Sequence, residues 1–218
     1  MDAKELQKRF RAAIFKMSTP EVTGLPADRG FEVAFAGRSN AGKSSALNTI
    51  AEQSGLARVS KTPGRTQQLV LFDMDFERRL VDLPGYGYAK VPQGMKESWG
   101  KVVEQYLMQR QALRGVVLLV DIRHPLRHLD RVFLDFAAAR SLPCLVLLTK
   151  SDKLSRGPAL QTRRLVQDAL RNHPAAVHVE LFSAPDRVGV EEARWVVATW
   201  LGLAQARSLE APRATDPN

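Results

Sequence analysis

Apolar residues fall along this chain in two rhythms. Residues 116–121 and 145–149 are short aliphatic runs without polar alternation, which suits strands buried on both faces. Residues 43–51, 96–109, 130–140, 160–171 and 191–203 read instead as helices. Strand-like segments at 32–36, 68–74, 79–82 and 177–182 bring the predicted strands to six. Strands that alternate with helices predict an α/β fold, a mostly parallel six-stranded sheet with helices on both faces. Segments 68–74 and 79–82 are joined too closely for a crossover, so they pair antiparallel and one strand opposes the rest. Near the N-terminus Leu6, Phe10, Ala13, Ile14 and Met17 fall at helical spacing, predicting an amphipathic helix over 4–17 that packs on the main body. Residues 19–30, rich in Pro, Gly and Asp, read as a linker, and residues 204–218 as a disordered tail.

Composition narrows the class. With 218 residues, 44% hydrophobic and 25% charged, the chain suits a single globular core and excludes a collagen-like or disulfide-stapled protein. The single Cys cannot form an internal disulfide, and Cys144 lies in an apolar run as a core residue. No apolar run approaches the roughly 20 residues that span a bilayer, and no signal core stands at the N-terminus. The expectation is a cytoplasmic monomer with no membrane partner. A net charge of +9 draws a protein toward nucleic acid, or reflects an Arg-rich solvated surface.

The segment Gly37-Arg38-Ser39-Asn40-Ala41-Gly42-Lys43-Ser44 fits G-x-x-x-x-G-K-S between a predicted strand and a predicted helix, the context of a phosphate-binding P-loop. Gly37 and Gly42 are expected to permit the backbone angles that gather N–H groups around a phosphate, and the helix start adds its positive end. Lys43 supplies a point charge for the β- and γ-phosphates, and Ser44 a hydroxyl for Mg²⁺.

Further segments in chain order choose the nucleotide. Asp82-Leu83-Pro84-Gly85 matches D-x-x-G: the Asp can hold a Mg²⁺-bound water and the Gly85 amide can sense a γ-phosphate. Thr149-Lys150-Ser151-Asp152 matches [NT]-K-x-D. There a carboxylate accepts both the N1–H and the exocyclic amine of guanine, a donor pair that adenine lacks. Thr149 has no amide, so the contact that an Asn would make to the P-loop must be made differently or lost. Lys150 can lie along the base, and a backbone N–H in Phe182-Ser183-Ala184 would face guanine O6. The loop before residue 68 is where a first switch belongs. Thr62 and Thr66 both qualify there, and Thr66, adjacent to the strand, is preferred.

With these residues in hand the chain resembles the EngB family of ribosome-biogenesis GTP-binding proteins, within the translation-factor class of P-loop GTPases. The resemblance is carried by GRSNAGKSS (37–45), TPGRTQ (62–67), VDLPGYGYAKV (81–91), DIRHPL (121–126), TKSDKL (149–154) and FSA (182–184), and spans about 31–203. It implies a Ras-like GTP-binding domain over 31–203, preceded by the helix and linker of 1–30. It further implies GTP and GDP contacts from Gly37 to Ser44, at Gly64, Arg65, Thr66, Gln67 and Gln68, and in the Asp82, Thr149 and Phe182 segments. Ser44 and Thr66 would be the direct protein ligands of Mg²⁺. The implied role is a switch in assembly of the large ribosomal subunit, with its precursor or ribosomal RNA as partner and with division and septation depending on it.

Many regulatory GTPases follow D-x-x-G with a Gln that orients the attacking water, whereas this chain has Tyr86, so slow intrinsic hydrolysis is expected. Lys43 and Asn40 are the residues expected to act on the reacting phosphates. Asn40 matches the position that supplies an oxygen to K⁺ in related potassium-stimulated GTPases. Two competing readings are an RNA- or ribosome-binding module with little GTPase activity and an ATP-dependent enzyme. Intact Lys43, Ser44, Asp82 and Asp152 argue against the first, and the TKSD segment against the second. RNA contact is expected at Arg123, His124, Arg127 and Arg131, with Lys90 and Lys96 beyond the second switch.

Overall fold

A computed structural model describes residues 2–57, 68–86 and 93–205, the stretch 93–99 by its backbone alone. Its helices are α1 (Ala3–Arg11), α2 (Lys43–Ala51), α3 (Gln93–Gln109), α4 (His128–Ala139), α5 (Arg156–Leu170) and α6 (Val190–Trp200). Its strands are β1 (Ile14–Thr19), β2 (Phe31–Gly37), β3 (Leu69–Asp73), β4 (Arg78–Asp82), β5 (Leu113–Asp121), β6 (Cys144–Thr149) and β7 (Val177–Leu181). They form one seven-stranded sheet in the order β1-β3-β4-β2-β5-β6-β7. β3 pairs antiparallel with both β1 and β4, and the remaining pairs are parallel, so β3 alone opposes the rest.

The central strands alternate their side chains between two apolar layers. Ala34, Val116, Leu118, Val146 and Leu148 face Tyr106, Phe133, Leu134 and Val166 of α3, α4 and α5. Val33, Phe35, Val117, Leu119, Leu145 and Leu147 face Leu6, Phe10, Leu47, Ile50 and Val197 of α1, α2 and α6. Both layers are apolar, which is why these strands read as continuous aliphatic runs. Cys144 is buried in the first layer, and burial pushes its thiol up to about 12.

The N-terminal helix predicted over 4–17 is corrected by the structure. The helix ends at Arg11, and residues from Ile14 join the edge of the sheet as its seventh strand. The register shifts between Phe15 and Met17, a bulge that breaks the alternation a strand would otherwise show. Ile14 is exposed, so its helical spacing from Phe10 does not mark a buried face. What makes the segment a strand is the open edge of β3, whose amides and carbonyls need partners and which lies fifty or more residues away in sequence.

Candidate nucleotide site

The parallel strands end on one side of the sheet, where an α/β fold places its ligand. The loop from β2 to α2 lies there, beside the ends of β4, β5 and β6. Two glycines shape it for different reasons. Gly42 has φ 88°, the left-handed conformation that glycine tolerates, and it sets the start of α2. Gly37 has no left-handed φ, contrary to the expectation. It is small because a Cβ there would stand 2.6 Å from the Leu119 carbonyl oxygen of β5. Between them Asn40 adopts φ 64°, and the Ala41 amide donates to the Arg38 carbonyl at 3.0 Å. The first-turn amides of α2, from Lys43 and Ser44, have no acceptor within the helix.

Lys43 and Asp82 meet in the middle of this end. Both are buried, and the Lys43 ammonium donates to Asp82 Oδ1. Burial raises the Asp82 carboxyl, an effect that Lys43 opposes. Asp82 closes β4, and the following Leu83 amide donates to Phe35 O at 2.9 Å, which holds the Asp82–Gly85 segment beside the P-loop strand. Ser44 is half-buried in the first turn of α2, and its hydroxyl has no hydrogen-bond partner among the described residues.

Segments 149–152 and 182–184 gather at the same loop. Thr149 Oγ1 donates to Ala41 O at 2.7 Å, so the missing amide is replaced by a hydroxyl that ties β6 to the P-loop. Lys150, with φ 58°, sends its ammonium to Asn40 O at 2.7 Å. Asp152 accepts from Ser183 Oγ at 3.1 Å, and the Ser151 amide donates to Phe182 O at 3.1 Å, joining the two segments that follow β6 and β7. The Lys153 ammonium, 2.9 Å away, and then the Ser183 hydroxyl hold the Asp152 carboxyl below its usual value. Ala184 follows Ser183 in the same turn, half-buried.

Among the nucleotide contacts and metal ligands expected from sequence, Gly64, Arg65, Thr66 and Gln67 lie outside the described residues, and Gln68 is exposed just before β3. Thr62 and Lys90 also lie outside them, as does the side chain of Lys96.

Tyr86 turns toward α4. Its hydroxyl donates to Asp130 Oδ1 at 2.8 Å and its ring stacks on Phe133 of α4. Burial, reinforced by Asp130, raises the phenol well above its ordinary value. Its backbone stays on the P-loop, with the Ser39 amide donating to Tyr86 O at 2.8 Å. Asp130 was missed by the sequence reading, although an acidic residue in the first turn of a helix is a usual capping signal. Its other oxygen accepts the Arg127 amide at 2.9 Å, so one carboxylate caps α4 and anchors Tyr86. Asp121, the end of the strand predicted over 116–121 and the first residue of DIRHPL, ends β5 and binds Lys150 at 2.8 Å.

A family model described as "50S ribosome-binding GTPase" matches residues 32–150, from the P-loop strand through Lys150. The probable GTP-binding protein EngB of Stenotrophomonas maltophilia (strain K279a) is 54% identical over 192 residues, covering 88% of this chain and 96% of that one. A crystal structure of a probable GTP-binding protein engB superposes with a TM-score of 0.63 at 19% identity, over 78% of this chain and 98% of that one. Era, in a complex with MgGDPNP and nucleotides 1506–1542 of 16S ribosomal RNA, superposes with a TM-score of 0.59 at 21% identity, over 85% of this chain and 61% of that one. The two superpositions establish the Ras-like P-loop GTPase fold. An identity of 54% sustained over almost the whole of both sequences establishes more than a fold: this chain belongs to the EngB family of GTP-binding proteins and is a GTPase.

Proposed function

We propose that this GTPase works as a switch in assembly of the large ribosomal subunit, on which normal division and septation depend. The observation that carries the nucleotide reading is the meeting of Thr149 and Lys150 with the P-loop, through Thr149 Oγ1 to Ala41 O and Lys150 Nζ to Asn40 O, with the Asp152 carboxylate two residues on, held by Ser183. That arrangement offers guanine an acceptor carboxylate beside a phosphate cradle. The ribosomal reading is supported by the description of the matching family model and by the RNA bound to Era. It is also supported by an exposed basic face on the β5–α4 loop and α4. His124, Arg127 and Arg131 are exposed there, and the Arg127 and Arg131 guanidinium groups make no hydrogen bond or ion pair among the described residues. Arg123 is exposed too, but its charge is matched by Asp121 at 2.7 Å.

The donor set suits Mg²⁺. A hydroxyl without a partner at Ser44 and a carboxylate at Asp82 are hard oxygen donors, and such a cation takes its remaining oxygens from phosphates and water. Ser44 and Thr66 would hold it directly, and it would neutralise charge on the β- and γ-phosphates. Lys43 would leave Asp82 for the phosphates, freeing the carboxylate to orient a water. The Tyr86 hydroxyl is committed to Asp130, so the residue that follows Gly85 does not orient the attacking water, which supports slow intrinsic hydrolysis. Asn40, exposed in the P-loop, would offer its side-chain oxygen to K⁺, a cation that would stabilise charge on the phosphates.

Cosedimentation with ribosomal subunits, in GDP and in a non-hydrolysable GTP analogue, tests the switch. Binding to large-subunit particles should depend on the nucleotide and should fall steeply with salt, because phosphate contacts release counterions. Equal sedimentation in both nucleotides would reject the switch, and a flat salt response would reject RNA contact by this face. GTP turnover in matched KCl and NaCl, on the parent and Asn40→Ala, tests the cation; equal parent rates would leave Asn40 as a loop residue.

A further inference from the structure

Lys150 is held at its tip from two sides. Its ammonium donates to Asn40 O of the P-loop at 2.7 Å and to Asp121 Oδ2 at 2.8 Å. Asp121 is the last residue of β5, and its carboxylate is itself fixed by the loop that follows. The Arg123 amide and Nε donate to Oδ1 at 3.1 and 2.9 Å, and an Arg123 terminal nitrogen donates to Oδ2 at 2.7 Å. Burial acts to raise this carboxyl, but the Arg123 and Lys150 bonds outweigh it and hold Asp121 well below the usual carboxylate range. A cavity of about 200 Å³ lies behind the lysine, between the P-loop and the β5–α4 loop. Without Asp121 the lysine tip would keep one carbonyl partner and gain room to move.

We propose that Asp121 is a positioning residue for guanine-nucleotide binding: it fixes Lys150 against the P-loop so that the lysine stem meets the base already ordered, and Arg123 sets the orientation of its carboxylate. The proposal rests on the reading that Lys150 lies along the base. A free lysine stem samples many rotamers and must lose them when a base packs on it. Fixing the tip beforehand removes that loss from the binding step.

Charge alone predicts the opposite sign. Removing a negative group near the phosphate loop would strengthen binding of an anionic nucleotide. Positioning predicts weaker binding when Asp121 loses its charge, and only while Lys150 is present.

The test is the equilibrium and dissociation kinetics of fluorescent mant-GDP on the full chain, for the parent, Asp121→Asn, Lys150→Ala and the double variant. Asp121→Asn should weaken mant-GDP about tenfold in the parent background and by less than about twofold in the Lys150→Ala background, the coupling expected within one hydrogen-bond network. Steady-state GTP turnover should place the loss in KM rather than in kcat. Arg123→Ala, at an exposed position, should weaken mant-GDP by about two- to threefold in the same direction. Unchanged or tighter binding by Asp121→Asn, with Lys150→Ala weakened, overturns the proposal and leaves the base site standing. The same loss in both backgrounds also overturns it, since that marks a structural effect. A Lys150→Ala protein that binds as the parent does overturns the underlying reading of the lysine.

Discussion

Charged clusters stand at both ends of the sheet, and they are built in opposite ways. At the amino end Glu32 is fully buried and saturated. Its oxygens accept two bonds from Arg110 at 2.9 and 2.7 Å, one from the Tyr106 hydroxyl at 2.9 Å and one from Arg79 at 3.3 Å. Those cations are themselves tied down, Arg110 to Pro26 O at 2.9 Å and Arg79 to Arg29 O at 3.1 Å and to Asp73 at 3.2 Å. At the carboxyl end, among the described residues, Lys43 has a single carboxylate partner in Asp82 and the Ser44 hydroxyl has none. A buried ion with every bond filled can only hold elements together. A buried cation with one exchangeable partner can accept phosphate oxygens in its place. The contrast teaches that the number of partners, rather than burial or charge, separates the structural cluster from the working one.

The sharpest test of that contrast exchanges one group at each end. Glu32→Gln takes from Arg110 and Arg79 the buried carboxylate they share, leaving them only the more exposed Asp28 and Asp73, and should lower unfolding free energy by about 3–5 kcal/mol. Urea denaturation measures this, and mant-GDP affinity of the folded protein should stay at the parent value. A loss of nucleotide affinity at unchanged stability would erase the distinction between the two ends. Asp152→Asn should do the reverse. It removes the paired acceptor and should weaken GDP by about 2–4 kcal/mol while admitting xanthosine diphosphate, with the urea midpoint held. Parent-like GDP binding without any gain for the xanthine nucleotide would sink the guanine assignment.

Smaller effects sharpen the comparison further. Tyr86 lies at the carboxyl end yet is wired as a structural group, from its hydroxyl to Asp130. Tyr86→Phe should therefore cost about 0.5–1.5 kcal/mol of stability and leave GTP turnover as it was. A collapse of turnover at full stability would place the hydroxyl in the reaction. The smallest effect is on the acid side. At the amino end burial acts to raise Asp28, but the Gln111 and Ala112 amides and Arg110 outweigh it, and at the carboxyl end Lys153 and Ser183 lower Asp152. A carboxyl lowered by folding stabilises above its unfolded value near 3.8 and loses that contribution as pH falls through the folded value. The melting temperature should hold from pH 7 to about 5 and fall below about 4, and Asp28→Asn should reduce the fall. A fall beginning near neutral pH would show that another group controls it.

Much of this was legible in residue order. Strands buried on both faces announce themselves as aliphatic runs, and α2 lies at Lys43–Ala51, where its pattern placed it. The phosphate loop and the Asp82, Thr149 and Phe182 segments are local motifs, because a ligand that binds strand ends needs short, ordered stretches of chain. The hydroxyl of Thr149 is another matter. Its acceptor, Ala41 O, lies 108 residues away, and nothing in the segment itself names that partner.

The sequence by itself determined the alternation of strands and helices, the antiparallel β3–β4 pair and the chemistry of the nucleotide motifs, all of which depend on near neighbours. Tertiary structure alone decided the rest. Ile14–Thr19 became a strand because the edge of β3 was open to it. Gly37 had to be small because the Leu119 carbonyl comes within 2.6 Å of where its Cβ would be. Tyr86 was drawn to Asp130, and Lys150 to Asp121, 44 and 29 residues apart along the chain. Each of these depends on a hydrogen-bond or steric demand whose other half is set by packing, and such a demand leaves no periodic trace in the residues that answer it.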